Sequence, residues 1–504
     1  MTVVFEGPGV TVHHGDCIEV MRTIPDASID AIVTDPPYGL EFMGKDWDGA
    51  DGFRRSLNPN DAGRTASKAT AGMSQTGYSD GANRIERPSF LGGLNPKCTT
   101  CGKWQRGGNP CSCESPTFTD ERLPRLHTFQ EWCTEWAREA LRVLKPGGHL
   151  LAFGGSRTWH RLAAGIEDAG FEIRDSIAWL YGSGFPKSLD VSKAIDAAAG
   201  AKREVVAEGA PVKRMIPGAD QNRTGSWIKD NGRTFVPTVT APATEEAAKW
   251  EGWGTALKPA FEPIVVGRKP LVGTVAANVL THGTGALNID ASRVGDGSDS
   301  EGDRPAREAS SAARYTDRGA VNLAATPGPR GGSPAGRWPT NVVLDESQAA
   351  ELDKQAGTRT SGAKRHAAGD VIQSNWRSLE GRSDAARRAK DSVWNADSGG
   401  ASRFFPTFRY EAKAGSDERP NVNGVQHPTV KPLDLMRWLV RLVTPPNGVI
   451  LEPFAGSGTT LEAAVLEGFQ VIGIEREADY LPLIEARLTK PLQPVMFGDW
   501  GADA

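Results

Sequence analysis

A doubly wound α/β domain with a mostly parallel sheet, assembled from both ends of the chain, is the fold this sequence predicts. Three runs of residues predict it. Near the N-terminus an apolar run, Ile29 to Val33, ends like a buried strand at Asp35-Pro36-Pro37-Tyr38. Near the C-terminus a second run, Val449-Ile450-Leu451, enters a glycine-rich turn and then a helical pattern at Leu461, Ala464, Val465 and Leu466. A third, Gln470 to Ile474, ends at the acid Glu475. Continuous apolar strands alternating with helical stretches are what a parallel sheet covered on both faces requires.

The other elements follow in chain order. Val10 to His14 reads as a strand and leads into Gly15-Asp16, so residues 1–47 hold two strands and a loop. Residues 48–97 are rich in Gly, Ser, Asn and Arg, with few large apolar groups, and read as a mobile loop. Phe129 to Leu144 places Trp132, Trp136, Ala140 and Val143 at helical spacing, and its Trp pair reads as core. The turn Lys145-Pro146-Gly147-Gly148 feeds a strand, His149 to Phe153. Residues 158–169 read as a helix, and Phe171 to Tyr181 alternates like a strand. From about 190 to 420 the pattern breaks up. Short strands are expected at Pro263-Ile264-Val265-Val266 and Asn341-Val342-Val343-Leu344. Residues 294–338 and 355–402, rich in Gly, Ala, Ser and Arg, read as long loops or disorder. Arg403-Phe404-Phe405, with Tyr410 and Lys413, reads as a final strand that returns the chain to the core.

Length and composition fit this plan. A chain of 504 residues exceeds one ordinary domain, so a core carrying inserts is expected. The net charge of -4 does not by itself mark a nucleic-acid binder, so local basic patches would have to supply any phosphate contacts. No apolar run is long enough for a membrane span, and no basic-then-apolar N-terminus points to export. Six cysteines, four of them clustered, fit a reducing, cytoplasmic compartment better than a disulfide framework.

The chemistry concentrates at two places. An exocyclic amino nitrogen on a nucleobase is a poor nucleophile, because its lone pair is conjugated into the ring. Two acceptors pulling on its two protons free that lone pair. Asp35 offers one acceptor and the carbonyl of Pro36 the other. Prolines cannot continue a sheet ladder, and Tyr38 offers a flat face for an extruded base. The other reading is a plain Pro-Pro turn. At the far end, Glu452-Pro453-Phe454-Ala455-Gly456-Ser457-Gly458-Thr459 is a strand-to-helix turn where glycines let a ligand approach the backbone and the helix start favours a carboxylate. A dinucleotide fingerprint would need a third glycine at Leu461, which disfavours NAD and FAD. Glu475, roughly twenty residues on, suits a pair of ribose hydroxyls. S-adenosylmethionine has a ribose and a carboxylate but no phosphate, and fits both features.

Cys98 and Cys101, then Cys111 and Cys113, form two close pairs that can supply four thiolates to one tetrahedral zinc. The second pair is tighter than the usual spacing, and chance clustering or redox-active thiols are the other readings. Such a knuckle would be a fold staple or a DNA-contacting module, not a catalyst. Cys17 and Cys133 read as small core residues.

Together these stretches closely resemble the amino-group (N6-adenine or N4-cytosine) DNA methyltransferases. Asp35-Pro36-Pro37-Tyr38 matches their catalytic motif, and Glu452 to Gly458 matches their S-adenosylmethionine motif, with Glu for the commoner Asp. His427-Pro428-Thr429-Val430-Lys431-Pro432 matches the segment preceding the cofactor strand. Catalytic motif first and cofactor motif last is the permuted order of the β group. The resemblance implies that Asp16, His427, Thr429 and Lys431 join Glu452 to Thr459 and Glu475 at the cofactor. It implies a catalytic half at 1–47, continued at 120–190, an insert at 48–119, a target-recognition region at 191–402 and a cofactor-binding half at 403–504. In the recognition region Arg377, Arg382, Arg387 and Arg388 interleave with Trp376 and Trp394, as either DNA contacts or a solvated linker. Adenine N6 is the expected target, because an Asp at the first motif position is more usual for adenine and a Ser for cytosine. A protein glutamine methyltransferase, with Asn for that Asp and the opposite motif order, and a catalytically idle DNA-binding relative are the other classes. Phrases such as Tyr181-Gly182-Ser183-Gly184-Phe185-Pro186-Lys187 are common in phage-borne methylases. No nuclease motif is evident.

Overall fold

In a computed structural model of the chain, the described residues are 2–40, 46–57, 98–101, 103, 112–117, 122–182, 188–210, 212–213, 234–295, 336–361, 364–366, 371–372, 387–388, 392–394, 397–408 and 419–490. They divide into two compact units, residues 1–182 with 261–504, and residues 183–260.

The larger unit is built on one ten-stranded sheet. Its strands in chain order are β1 (Thr2–Gly7), β2 (Val10–His14), β3 (Ile29–Thr34), β4 (Leu144–Phe153), β5 (Glu172–Leu180), β6 (Phe261–Arg268), β7 (Val342–Asp345), β8 (Thr407–Phe408), β9 (Val449–Glu452) and β10 (Gln470–Glu475). Across the sheet the order is β1-β2-β10-β9-β3-β4-β6-β5-β7-β8. Pairing is parallel except at β1–β2 and on both sides of β6. Strands from the two chain ends lie side by side at the centre, with Ile450 opposite Ala31 and Leu451 opposite Ile32.

Successive strand residues point to opposite faces, and the core divides accordingly. On one face Ala31, Val33, Leu151, Phe153 and Ile450 pack under helices α5 (Leu433–Val443), α6 (Thr459–Leu466) and α7 (Leu481–Leu488). On the other, Ile32, Leu150, Ala152 and Leu451 pack under α1 (Cys17–Met21), α3 (Arg122–Val143) and α4 (Trp159–Asp168). Helices on both faces explain why the central strands read as unbroken apolar runs rather than alternating ones. The Trp pair of α3 is core, as expected: Trp132 and Trp136 are buried against each other and against Phe454.

Three expectations need correcting. Residues 48–97 do not all lie in a loop, because Ala50–Leu57 is a helix, α2 (the second in chain order). It packs Phe53 on Trp132 with ring centroids 4.5 Å apart; residues 58–97 are outside the described set. The N-terminal segment holds a third strand, β1, whose side chains are largely exposed. After Arg403 the described residues add the two-residue β8 at the sheet's edge, beyond a 3-10 turn at Ala401–Phe404; Tyr410 and Lys413 fall outside the described residues.

The smaller unit holds helices Val191–Ala198 and Glu245–Lys249 and a strand pair, Val205–Glu208 with Thr238–Thr240. Its polar centre is Asp196, which accepts from Arg203 at 2.7 Å, from the Ala243 and Thr244 amides and from the Thr244 hydroxyl. Trp250 and Trp253 pack edge to face yet remain exposed.

Candidate active site

The carboxyl ends of β3, β4, β9 and β10 share one edge of the sheet, where open α/β sheets take their ligands. Asp35 follows β3 directly, and the two prolines after it end the ladder. The loop beyond is fixed at three points. The Tyr38 carbonyl accepts from Thr158 Oγ1 at 2.7 Å. The Gly39 and Leu40 amides donate to Asp48 at 2.7 and 3.1 Å. The Tyr38 ring lies where a side chain at Gly155 would meet it, 3.0 Å from an added Cβ.

Asp35 is held in a half-buried polar cluster around the buried Lys431. The Tyr38 hydroxyl donates to its Oδ1 at 2.8 Å, and the Lys431 ammonium donates to its Oδ2 at 2.6 Å. Glu262 completes the cluster, its Oε2 lying 3.1 Å from the Tyr38 hydroxyl and 3.4 Å from Lys431 Nζ. The Lys431 ammonium also sits over the rings of Phe153 and Tyr38, at 4.8 and 5.4 Å. Burial alone would lower the pKa of this lysine, but Asp35 and Glu262 outweigh it and the net shift is upward. Burial, and then the same two carboxylates, push the Tyr38 hydroxyl well above its usual value. At neutral pH the cluster therefore holds a charged lysine and a neutral tyrosine.

The glycine turn lies beside this cluster. Gly456 and Gly458 adopt φ of 55° and 82°, in the left-handed region that glycine enters without steric cost. The turn is pinned from below by Glu475, whose Oε2 accepts from the Gly456 amide at 2.7 Å while Oε1 accepts from Glu477 at 2.7 Å. From the side, Arg487 Nε donates to the Ser457 carbonyl at 2.8 Å and its guanidinium pairs with Glu462. His427 covers Gly456, its Nε2 3.1 Å from where a Cβ would stand, and packs edge-on against Tyr480 at 4.7 Å. A carbonyl can only accept, so the 2.5 Å contact with Thr429 O puts the imidazole proton on Nδ1. Burial pushes His427 down to about 4, so the ring is neutral.

Glu452 ties the two halves together. It is 1% exposed. Its Oε1 accepts from the Thr34 hydroxyl and from the Phe454 amide, and its Oε2 from Thr460 at 2.6 Å. One side chain thus joins the end of β3, one residue before Asp35, to the start of α6. Burial outweighs these donors and raises its pKa to about 8; burial likewise raises Glu475 to about 7.

The structure brings most of the sequence-selected residues to this edge. Asp35, Pro36, Pro37 and Tyr38 stand on one side. Pro453 to Thr459, Glu475 and His427 stand on the other. Asp16 caps α1 through the Ile18 amide at 3.0 Å, and neighbouring Gly15 donates to the Glu475 carbonyl at 3.0 Å. Thr429 is exposed beside His427. Two residues sit differently from expectation: Lys431 belongs to the Asp35 cluster, and both oxygens of Glu452 are taken up inside the protein.

Glu262 and Arg487 were missed. Glu262 stands at the amino end of β6, but β6 runs antiparallel to β4, with Ile264 opposite Phe153, and so delivers its first residues to the carboxyl edge of β3 and β4. The signal was present as an acid followed by proline at a strand end, the same pattern as Asp35-Pro36 and Glu452-Pro453. Away from this edge, the Sγ atoms of Cys98, Cys101 and Cys113 lie within 4.8 Å of one another, and Cys111 is outside the described residues. Of the expected DNA-contacting residues, Arg377, Arg382 and Trp376 are also outside them. For Arg387, Arg388 and Trp394 only the backbone is described, in short hairpins.

Comparison with known proteins places the chain in a family. The family model described as DNA methylase (N6_N4_Mtase) matches residues 29–197 and 335–486, more than half of the chain, and the chain belongs to that family. It is 25% identical over 280 residues to the type II methyltransferase M.HindIII of Haemophilus influenzae, covering 55% of this chain and 64% of that one. It is 45% identical over 62 residues to the type II methyltransferase M2.MboI of Moraxella bovis, covering 12% and 23%. The chain spans less than two thirds of the length of these curated relatives. Among solved structures, the M1.HpyAVI–SAM complex is 12% identical, with 95% and 100% of the two chains covered and a TM-score of 0.33. The cytosine-N4-specific PvuII DNA methyltransferase is 12% identical, with 96% and 88% covered and a TM-score of 0.35. The strand order itself defines the fold.

Proposed function

We propose that this chain transfers the methyl group of S-adenosylmethionine to the N6 amino group of adenine in DNA, after extruding the base from the duplex. The observation that carries the reading is the adjacency of β3 and β9, which sets the Asp35 cluster beside the glycine turn at Gly456. S-adenosylmethionine would lie over that turn, its ribose toward Glu475 and its amino-acid end toward the start of α6. The target adenine would enter between the Tyr38 loop and the turn, its amino protons held by Asp35 and the Pro36 carbonyl. The nitrogen attacks the sulfonium methyl in line, the carbon–sulfur bond breaks, and S-adenosylhomocysteine leaves. The amino proton departs to Asp35 or to water.

Positioning and polarisation carry most of the rate in such a site. Lys431, with its raised pKa, stays protonated and takes no proton from the substrate. No cysteine nucleophile is needed, because an exocyclic nitrogen attacks directly. Among the described residues no helix is long and apolar enough to cross a membrane; the proposed place of action is the cytoplasm of a bacterium or phage-infected cell, where its DNA substrate lies.

The family embraces both N6 and N4 methylation, so the test is a nucleoside digest separated by mass. Duplex DNA incubated with the chain and S-adenosylmethionine should yield N6-methyladenine. N4-methylcytosine would keep the reaction and move the target; a methyl group on protein, or on no base at all, would overturn the reading.

A further inference from the structure

We propose that Cys98, Cys101 and Cys113 hold a structural zinc ion. Their Sγ atoms lie within 4.8 Å of one another, and Cys98 Sγ and Cys113 Sγ are 3.9 Å apart. Two thiolates at about 2.3 Å from a tetrahedral zinc stand about 3.8 Å apart, whereas a disulfide needs about 2.05 Å. The backbone is shaped to bring the thiols together. The Cys98 amide donates to the Lys103 carbonyl at 2.8 Å, closing a tight turn around the first pair, and the Thr99 amide donates to the Thr117 carbonyl at 2.7 Å, tying that turn to the segment bearing Cys113. Between residues 98 and 117 the only buried apolar side chain among the described residues is Cys98. Packing of these described residues contributes little to folding, and metal binding supplies folding energy in its place.

The test uses the full chain purified without chelator. One zinc per chain is expected by elemental analysis, and cobalt in its place should give the absorption of a tetrahedral thiolate complex. Alkylation of the clustered thiols should accelerate at least about tenfold when zinc is stripped. Cys98→Ser and Cys113→Ser should each lose the metal. A chain that carries no zinc, together with alkylation rates that chelation does not change, would overturn the proposal.

A separate observation concerns Glu262, which we infer to be a positioning residue for the proposed reaction; this second inference rests on that function. Both oxygens of Asp35 are occupied, by Tyr38 at 2.8 Å and Lys431 at 2.6 Å, and both donors have Glu262 as a second acceptor at 3.1 and 3.4 Å. When the target amino group reaches Asp35, the lysine charge, 8% exposed, needs another carboxylate. Glu262 supplies it, so the ammonium and the phenol swing toward Glu262 and Asp35 is freed for substrate. Glu262→Gln should lower kcat at least about tenfold, with S-adenosylmethionine affinity within about twofold of wild type. Lys431→Met in the Glu262→Gln background should recover part of that loss, because it removes the cation left on Asp35. A simple packing role would give additive losses instead. Strictly additive losses, or an unchanged kcat in Glu262→Gln, would overturn the role of Glu262 alone. A wild-type chain inactive on every DNA would overturn the function and this role together.

Discussion

Glu452→Gln isolates the joint between the two halves of the site. In the folded chain Glu452 has its pKa raised by burial to about 8, against 4.5 for the ordinary carboxyl. A raised folded-state pKa means that the folded protein holds a proton which the unfolded chain has released between those values. Stability from this group is therefore complete below about pH 4.5 and is lost as pH rises through about 8. With each pH unit worth roughly 1.4 kcal/mol, Glu452 alone costs on the order of 2–3 kcal/mol between pH 5.5 and 7.5. Glutamine has the same shape and no charge. Its carbonyl can accept from Thr34 and the Phe454 amide, and its NH2 can donate to the Thr460 hydroxyl. The variant should match wild type within about 1 kcal/mol at pH 6 and lose less on going to pH 7.5, by about 2 kcal/mol. Urea unfolding followed by tryptophan fluorescence across this range reads both quantities. Parallel wild-type and variant profiles would refute the reasoning. So would a loss above about 3 kcal/mol at pH 6, because three donors facing an ionised carboxylate would then be holding the site together.

Two further expectations concern the same edge. Gly456→Ala places a Cβ 3.1 Å from His427 Nε2 at a φ of 55°; left-handed backbone costs about 1–2 kcal/mol for a non-glycine residue, and S-adenosylmethionine affinity measured by calorimetry should fall at least about tenfold. Phe53→Ala removes the buried ring that α2 sets against Trp132 and should destabilise the chain by about 3–5 kcal/mol in chemical unfolding.

The central fold was legible because its strands are buried on both faces. Ile29–Thr34, Val449–Glu452 and Gln470–Glu475 match the strands expected from the sequence to within about one residue, and each is a near-continuous apolar run; Val10–His14 matches through alternation, with Val10 and Val12 buried. Elements with less burial were not. β1 holds the short apolar run Val3-Val4-Phe5, but its side chains stay largely exposed at the sheet's edge and show no buried alternation. α2 shows only Phe53 and Leu57 as an apolar stripe, within a stretch otherwise polar or small. In the site, Asp35 and the glycine turn announced themselves through residue types that suit no ordinary strand end. Glu262 did not, because its position depends on β6 running against its neighbours, and strand direction is set by pairing far along the chain. Lys431 pointed to the cofactor through its motif, whereas packing against Phe153 and Tyr38 carries it to Asp35. The tie at Glu452 joins residues 418 positions apart in sequence, a contact that no local pattern reports.

The most direct measurement compares Asp35→Ala with wild type in two assays on the same preparation: methyl transfer to DNA under single-turnover conditions, and S-adenosylmethionine affinity by calorimetry. If Asp35 grips the substrate amino group, transfer is abolished while cofactor affinity changes by less than about threefold. Loss of cofactor affinity with the alanine, or transfer that survives it, would contradict the account.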